Sequence, residues 1–277
     1  MNILGHTIGA CSVRSDLPMS EFLSIVIPAF NEEQRIEETI RAIFAYVSPM
    51  FRGYEIIVSD DGSSDATVRI VSKLREETPL TLLTAGVNKG KGSAVRRGVA
   101  ASTGDLILVT DADLSTPLAE LDRLSDGIRA GADIAIGSRG LADSRILVHQ
   151  PIHRELLGRA FNVLLRATLL PEIRDTQCGF KLFRGAVARQ LFARSFVGGF
   201  AFDVEILTRA LQAGYRVVEV PVEWSHMNNS KVRVLRDAAS MLADWIRIVQ
   251  WSRNSSRQIP RLRRSEEGEP SMVSGEA

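Results

Sequence analysis

Apolar residues along this chain alternate between two rhythms. Near-continuous apolar runs read as buried strands at Phe22 to Pro28, Tyr54 to Ser59, Leu80 to Thr84, Leu106 to Val109 and Asp133 to Gly137. Between them the spacing turns helical. Ile36, Ile40, Ile43, Phe44 and Val47 recur at helical intervals in a helix opened by Asn31 and Glu32. Further helices are predicted from Asp65 to Glu76 with Ser64 as cap, after Gly92 through Ala101, and from Pro117 to Ala130 with Ser115 or Thr116 as cap. Strands alternating with helices at this spacing predict an α/β fold, a mostly parallel central sheet with helices on both faces.

The second half is less regular. Helices are predicted at Arg154 to Leu170, Asp203 to Ala213 and Val232 to Trp251, and a strand at Tyr215 to Val222. Asp175 to Arg184 reads as a turn and a short strand. Residues 1–20 read as a ragged leader, 21–252 as one domain divided near 140, and the charged stretch 253–277 as a disordered tail.

Composition narrows the picture only in places. A hydrophobic share of 45% over 277 residues supports a large core. The net charge of +1 gives no overall pull toward nucleic acid. Two cysteines, Cys11 and Cys178, make no disulfide framework and fit a reducing cytosol, with Cys178 read as a small packing residue. His149, His153 and His226 lack metal-ligand spacing. No apolar run approaches the roughly 18–20 residues of a membrane span, and 1–20 lacks the layout of a signal peptide.

The chemistry concentrates where strands end. The Leu106 strand runs into Asp111 and Asp113, which two-residue spacing can direct at one cation. Hard carboxylate oxygens suit Mg²⁺ or Mn²⁺ shared with substrate phosphates. Asn31 with Glu32, and Asp60 with Asp61, close two other strands, and ligands of open α/β sheets bind beyond this edge. Lys89, Gly90, Lys91 and Gly92 could cradle phosphate at a helix start. The glycine spacing is not that of a Walker loop, and no dinucleotide fingerprint opens the first helix.

Read in order, Ile27 to Glu32, Val58 to Asp65, Asn88 to Gly92 and Asp111 to Ser115 resemble inverting family 2 glycosyltransferases of the GT-A fold. Asp175 to Phe183, with Ser230 and Lys231, resembles the dolichyl-phosphate or polyprenyl-phosphate sugar synthases, the glucosyl branch most closely. The resemblance implies a nucleotide-sugar half over 21–140 and an acceptor half over 141–252. It implies that Pro28, Glu32 and Asp61 line the base and ribose pocket, and that Lys91 and Lys231 approach the donor. Asp113 would ligate Mg²⁺ or Mn²⁺, Asp111 would hold ribose or metal, and Arg139 and Arg154 would grip the acceptor phosphate. The implied donor is UDP-glucose first and GDP-mannose second. The implied acceptor is polyprenyl phosphate, met by an enzyme peripheral on the cytoplasmic face of a membrane.

A phosphate acceptor is already anionic and needs no general base, so positioning and electrostatics suffice. Two rival readings stay open. A family 2 enzyme acting on a glycan hydroxyl needs a carboxylate base, for which Asp203 and Glu205 stand in place, although both also suit a helix N-cap or first turn. A non-catalytic nucleotide-sugar-binding protein would keep the pocket alone. The stretch Val232 to Trp251 carries a broad apolar stripe flanked by arginines, suited to a membrane interface, to the sheet or to a second subunit.

Overall fold

The computed structural model describes residues 21–227 and 234–255. In chain order the first half runs β1 (Leu23–Ala29), α1 (Ile36–Val47), β2 (Tyr54–Asp60), α2 (Thr67–Leu74), β3 (Leu80–Thr84), α3 (Lys91–Ala101), β4 (Leu106–Thr110), α4 (Glu120–Arg129) and β5 (Ile134–Ser138). The second half runs β6 (Arg145–Val148), α5 (Ile152–Thr168), β7 (Phe180–Arg184), α6 (Gly185–Ala193), α7 (Phe202–Gln212), β8 (Val217–Pro221), β9 (Glu223–Ser225) and α8 (Val234–Ser255).

Seven strands form one sheet in the order β3-β2-β1-β4-β7-β5-β8. Every pairing is parallel except those of β7, which lies antiparallel between β4 and β5. Strand alternation feeds two cores. Ile25, Ile27, Leu106 and Leu108 pack with α1 and α4 on one face. Val26, Ile107, Val109, Ile134 and Ile136 pack with α3, α6 and α7 on the other. Burial on both faces is why these strands carry no polar alternation.

The predicted helix starts shift by one to five residues, the most at α1, which begins at Ile36. Ser64 is not a cap, because its hydroxyl and N–H turn to the Asn31 side chain. Asp65 accepts the Thr67 N–H at 2.9 Å instead. Nor do Ser115 and Thr116 cap α4, which begins at Glu120 after Ala119. The Thr116 hydroxyl lies 3.7 Å from Cys178 Sγ, and Cys178 is buried as expected of a packing residue. The helix predicted from Arg154 runs from Ile152 to Thr168.

The C-terminal helix belongs to the domain. Ile248 is fully buried in the second core, and Met241 and Trp245 pack against it. Arg209 of α7 lies 4.0 Å over the Trp251 ring, and Gln212 donates to Ser252 Oγ at 2.6 Å. Two arginines flanking its predicted stripe, Arg233 and Arg236, lie outside what the structure describes of side chains, as do the predicted leader and residues 256–277 of the predicted tail; 253–255, predicted as tail, instead continue α8.

Candidate active site

In this sheet β2, β1 and β4 are neighbours, so Asp60 with Asp61, Asn31 with Glu32, and Asp111 with Asp113 share one edge. The segment entering β7, residues 175–179, comes back to the same edge because β7 runs the other way. The expected cluster is therefore assembled from adjacent strands, with one extra contributor that strand periodicity did not reveal.

Asp111 and Asp113 stand on a short loop fastened on several sides. Thr39 of α1 donates its hydroxyl to the Ala112 carbonyl at 2.6 Å. Ser225 of β9 donates its N–H to the Ser115 carbonyl at 2.8 Å. Asp113 Oδ1 accepts the Ser115 N–H at 2.9 Å. Between them Leu114 holds a left-handed backbone, φ 48°, a costly conformation for a branched side chain. Such fastening presents both carboxylates without leaving them free to turn away.

Their partners are cationic. Lys91, the first residue of α3, places Nζ 2.5 Å from Asp111 Oδ1. Burial works against the Lys91 ammonium, but the charges of Asp111 and Asp203 outweigh it and raise its pKa above the ordinary lysine value. Arg35 binds Glu32 through Nε at 2.9 Å and brings Nη1 within 3.9 Å of Asp113 Oδ2. Glu32 thus reaches the acidic pair through Arg35, a residue absent from the sequence expectation.

Asp61 has a structural part in the loop before α3. Its buried carboxylate accepts the N–H groups of Lys89 at 3.1 Å and Gly90 at 2.6 Å, so it closes the loop before α3. Burial raises its pKa in spite of those bonds. Gly90 needs its glycine, with φ 97° and a would-be Cβ overlapping the Gly198 carbonyl. Pro28 sits in β1 beside Ser59 of β2, one residue short of Ala29, whose carbonyl accepts the Asp61 N–H at 2.8 Å.

Arg139, at the end of β5, meets Asp175 in a fork. Nε and Nη2 donate to the two carboxylate oxygens at 2.6 and 2.9 Å, and the backbone N–H adds a third bond. Burial opposes both charges, yet the pairing raises the Arg139 pKa and pulls Asp175 down to about 2. The Nε and Nη2 edge of the guanidinium is therefore taken by Asp175. The guanidinium also lies 5.2 Å over the Trp224 ring. Arg154 lies on α5 with its side chain outside the described residues, and Lys231 lies outside them altogether.

The two candidate bases are engaged. Glu205 is fully buried and accepts the N–H groups of Phe196 and Val197 and Arg209 Nε at 2.7 Å. Asp203 is a first-turn acid of α7 rather than its N-cap, which is Ala201. It pairs with buried Lys181 at 2.7 Å, and Lys181 also donates to the Cys178 carbonyl. Burial raises the Asp203 pKa against the pull of Lys181 and Lys91. A lone lysine inside the apolar run Phe180 to Phe183 was the sequence signal for this buried pair.

These groups border a cleft of about 710 Å³. Lys91, Asp111, Asp113 and Arg139 form a charged floor, while Leu157, Phe161 and Leu164 of α5 and Met241 and Leu242 of α8 supply an apolar wall. Among the described residues, no three His, Cys, Asp or Glu side chains gather into a metal cage. Two carboxylates bordering an open cleft do fit Mg²⁺ or Mn²⁺, which take few protein oxygens and complete their shells with phosphate and water.

Comparison with known proteins agrees with this geometry. Residues 24–192 match the family described as Glycosyl transferase family 2. The dolichyl-phosphate beta-glucosyltransferase of Dictyostelium discoideum is 33% identical over 240 residues, covering 82% of this chain and 73% of that one. Those of Drosophila melanogaster and Homo sapiens are 36% and 34% identical, covering 82% and 76% of this chain and 74% and 69% of theirs. Among solved structures, the glucosyl-3-phosphoglycerate synthase of Mycobacterium tuberculosis, in complex with Mn²⁺, UDP-glucose and phosphoglyceric acid, superposes with a TM-score of 0.64 at 21% identity. That match covers 83% of this chain and 80% of the other. The chain belongs to glycosyl transferase family 2 and is a glycosyltransferase with a GT-A-type fold.

Proposed function

We propose that this enzyme transfers glucose, with inversion, from UDP-glucose to the phosphate of a polyprenyl or dolichyl phosphate. The observation that carries the reading is the two-sided cleft, with a charged floor at Lys91, Asp111 and Asp113 and an apolar wall from α5 and α8. A lipid phosphate needs both. The sequence relatives named dolichyl-phosphate beta-glucosyltransferases support the sugar and the acceptor class.

In this reading Asp113 and Asp111 hold Mg²⁺ or Mn²⁺, which when bound would offset charge on the departing diphosphate. Lys91, kept protonated beside Asp111, adds positive charge near the same leaving group. Pro28, Glu32 and Asp61 shape the nucleotide side, Glu32 by orienting Arg35 and Asp61 by closing the loop before α3. Asp175 takes Nε and Nη2 of Arg139, so the acceptor phosphate would meet Nη1. Arg154 and Lys231 are assigned to acceptor and donor on the sequence pattern alone. The acceptor oxygen attacks as an anion, so no side chain removes a proton. Engagement of Asp203 with Lys181, and of Glu205 with backbone N–H groups, favours this over a glycan hydroxyl acceptor.

The enzyme works at a membrane surface because its acceptor is anchored there. Among the described residues no helix is long and apolar enough to cross a membrane. The test is transfer from radiolabelled UDP-glucose to polyprenyl phosphate in detergent with Mg²⁺ or Mn²⁺. Formation of a β-linked glucolipid supports the proposal. Transfer only from GDP-mannose would overturn the donor, and transfer only to a glycan would overturn the acceptor.

A further inference from the structure

Among the described residues eleven large apolar side chains are exposed, and six of them fall between positions 147 and 163: Leu147, Val148, Ile152, Leu156, Leu157 and Val163. Such crowding differs from the scattered exposure of an ordinary surface. The helical period sorts those of α5. Ile152, Leu156, Ala160, Val163 and Ala167 fall on one stripe, and all are exposed. Arg159 and Arg166, also exposed, run along one border of the stripe. Around the helix, Leu157, Phe161 and Leu164 line the cleft, and Leu165 is buried in the core. Ala160 of the stripe and Arg159 on its border line the cleft as well, so the cleft's apolar wall and the outward band adjoin on one helix.

Resting on the function proposed above, we propose that the outward stripe of α5, with Leu147 and Val148 of β6, is the surface that docks on an anionic lipid bilayer. A bilayer fits three observations together. Apolar side chains of this size sink into the acyl boundary, while bordering arginines meet headgroup phosphates. Charge on this face leans positive: Arg159 and Arg166 are exposed, as is Arg145, whose Nη1 meets Glu223 at 3.4 Å, and Glu155 is held by Arg159 at 2.6 Å, with His149 Nδ1 3.7 Å away. The stripe also borders the cleft's apolar wall, so a prenyl chain in the bilayer would reach Asp111 and Asp113 by passing along one helix. The C-terminal helix, which by sequence pattern suited a membrane interface, the sheet or a second subunit alike, spends Ile248, Met241 and Trp245 on the core and leaves Leu242 and Ile246 exposed.

Flotation with phosphatidylcholine vesicles, with and without phosphatidylglycerol and without any acceptor, tests the surface directly. Leu156→Glu with Val163→Glu should lower the vesicle-bound fraction by about tenfold or more, since two apolar insertions are lost. Arg159→Gln with Arg166→Gln should remove the preference for phosphatidylglycerol. Ile246→Glu, exposed on α8 outside the cleft lining, should bind vesicles as the parent does. Circular dichroism checks that each variant is folded. Transfer to a short, water-soluble prenyl phosphate should persist in the Leu156/Val163 variant, whereas transfer to vesicle-embedded acceptor should fall. Unchanged vesicle binding in that variant overturns the proposal, as does parent protein that ignores vesicles and pairs through this face in light scattering. Failure of the soluble-acceptor reaction in the parent would instead strike the proposed function.

Discussion

The carboxylate of Asp111 occupies the space that a side chain at position 179 would need. A Cβ there would overlap Oδ2 and come within 2.9 Å of Oδ1. Gly179 stands just before β7, the strand inserted antiparallel between β4 and β5, so the sheet's one reversed strand shapes the floor of the cleft. Gly179→Ala should push Asp111 away from Lys91 while leaving the fold intact. Displacing a positioned group by about 1 Å can cost a hundredfold in rate, so transfer should fall by about that factor. Steady-state kinetics alongside thermal melting separate this from unfolding. Normal rates in a folded Gly179→Ala enzyme would deny Asp111 its position.

Asp203 offers a sharper test of acceptor chemistry. Its carboxylate is buried and paired with Lys181 rather than standing free in the cleft as a base. Asp203→Asn should lower stability by about 3 kcal/mol, because Lys181 keeps a buried charge without its partner. The rate of the folded variant should change by less than about tenfold. Loss of a general base costs about a hundredfold or more, and a fall of that size would favour the glycan acceptor.

The fork between Arg139 and Asp175 sets an acid limit. The Asp175 carboxyl titrates near 2 in the fold against an ordinary 3.8, so its contribution is complete above the higher value and lost as pH falls toward the lower one. Urea unfolding from pH 5 to 2 should therefore show stability falling between about 4 and 2. In Asp175→Asn that share of the slope should vanish, and the variant should already be less stable at neutral pH. An identical slope in both proteins would mean that the pair does not carry acid stability.

Much of this arrangement was legible because it is local. β1, β2 and β4 are largely buried on both faces, so each is a near-continuous apolar run, broken only by Ser24 in β1 and by Glu55 and Ser59 in β2, that leads into acids, and α1 repeats its isoleucines at the helical period. What escaped depends on contacts far apart in sequence. β6 and β9 are two short strands that exist only as each other's partner, with 74 residues between Val148 and Glu223. α6 follows β7 directly, and its few apolar positions blend into the strand's run. Arg35 and Gly179 likewise carry no periodic signal, since their importance comes from Asp113 and Asp111, on another strand's loop. Arg139 was recognised as a cation of the site, but its partner Asp175 comes from a segment 36 residues later.

The central claim is that the Asp111 and Asp113 loop binds a divalent ion together with a nucleotide diphosphate. Titration calorimetry with UDP, with and without Mn²⁺, on the parent and on Asp113→Asn tests it most directly. Metal-dependent UDP binding in the parent, lost or weakened by about a hundredfold in Asp113→Asn, is the predicted result. Equal UDP affinity in both proteins, with or without Mn²⁺, would contradict it.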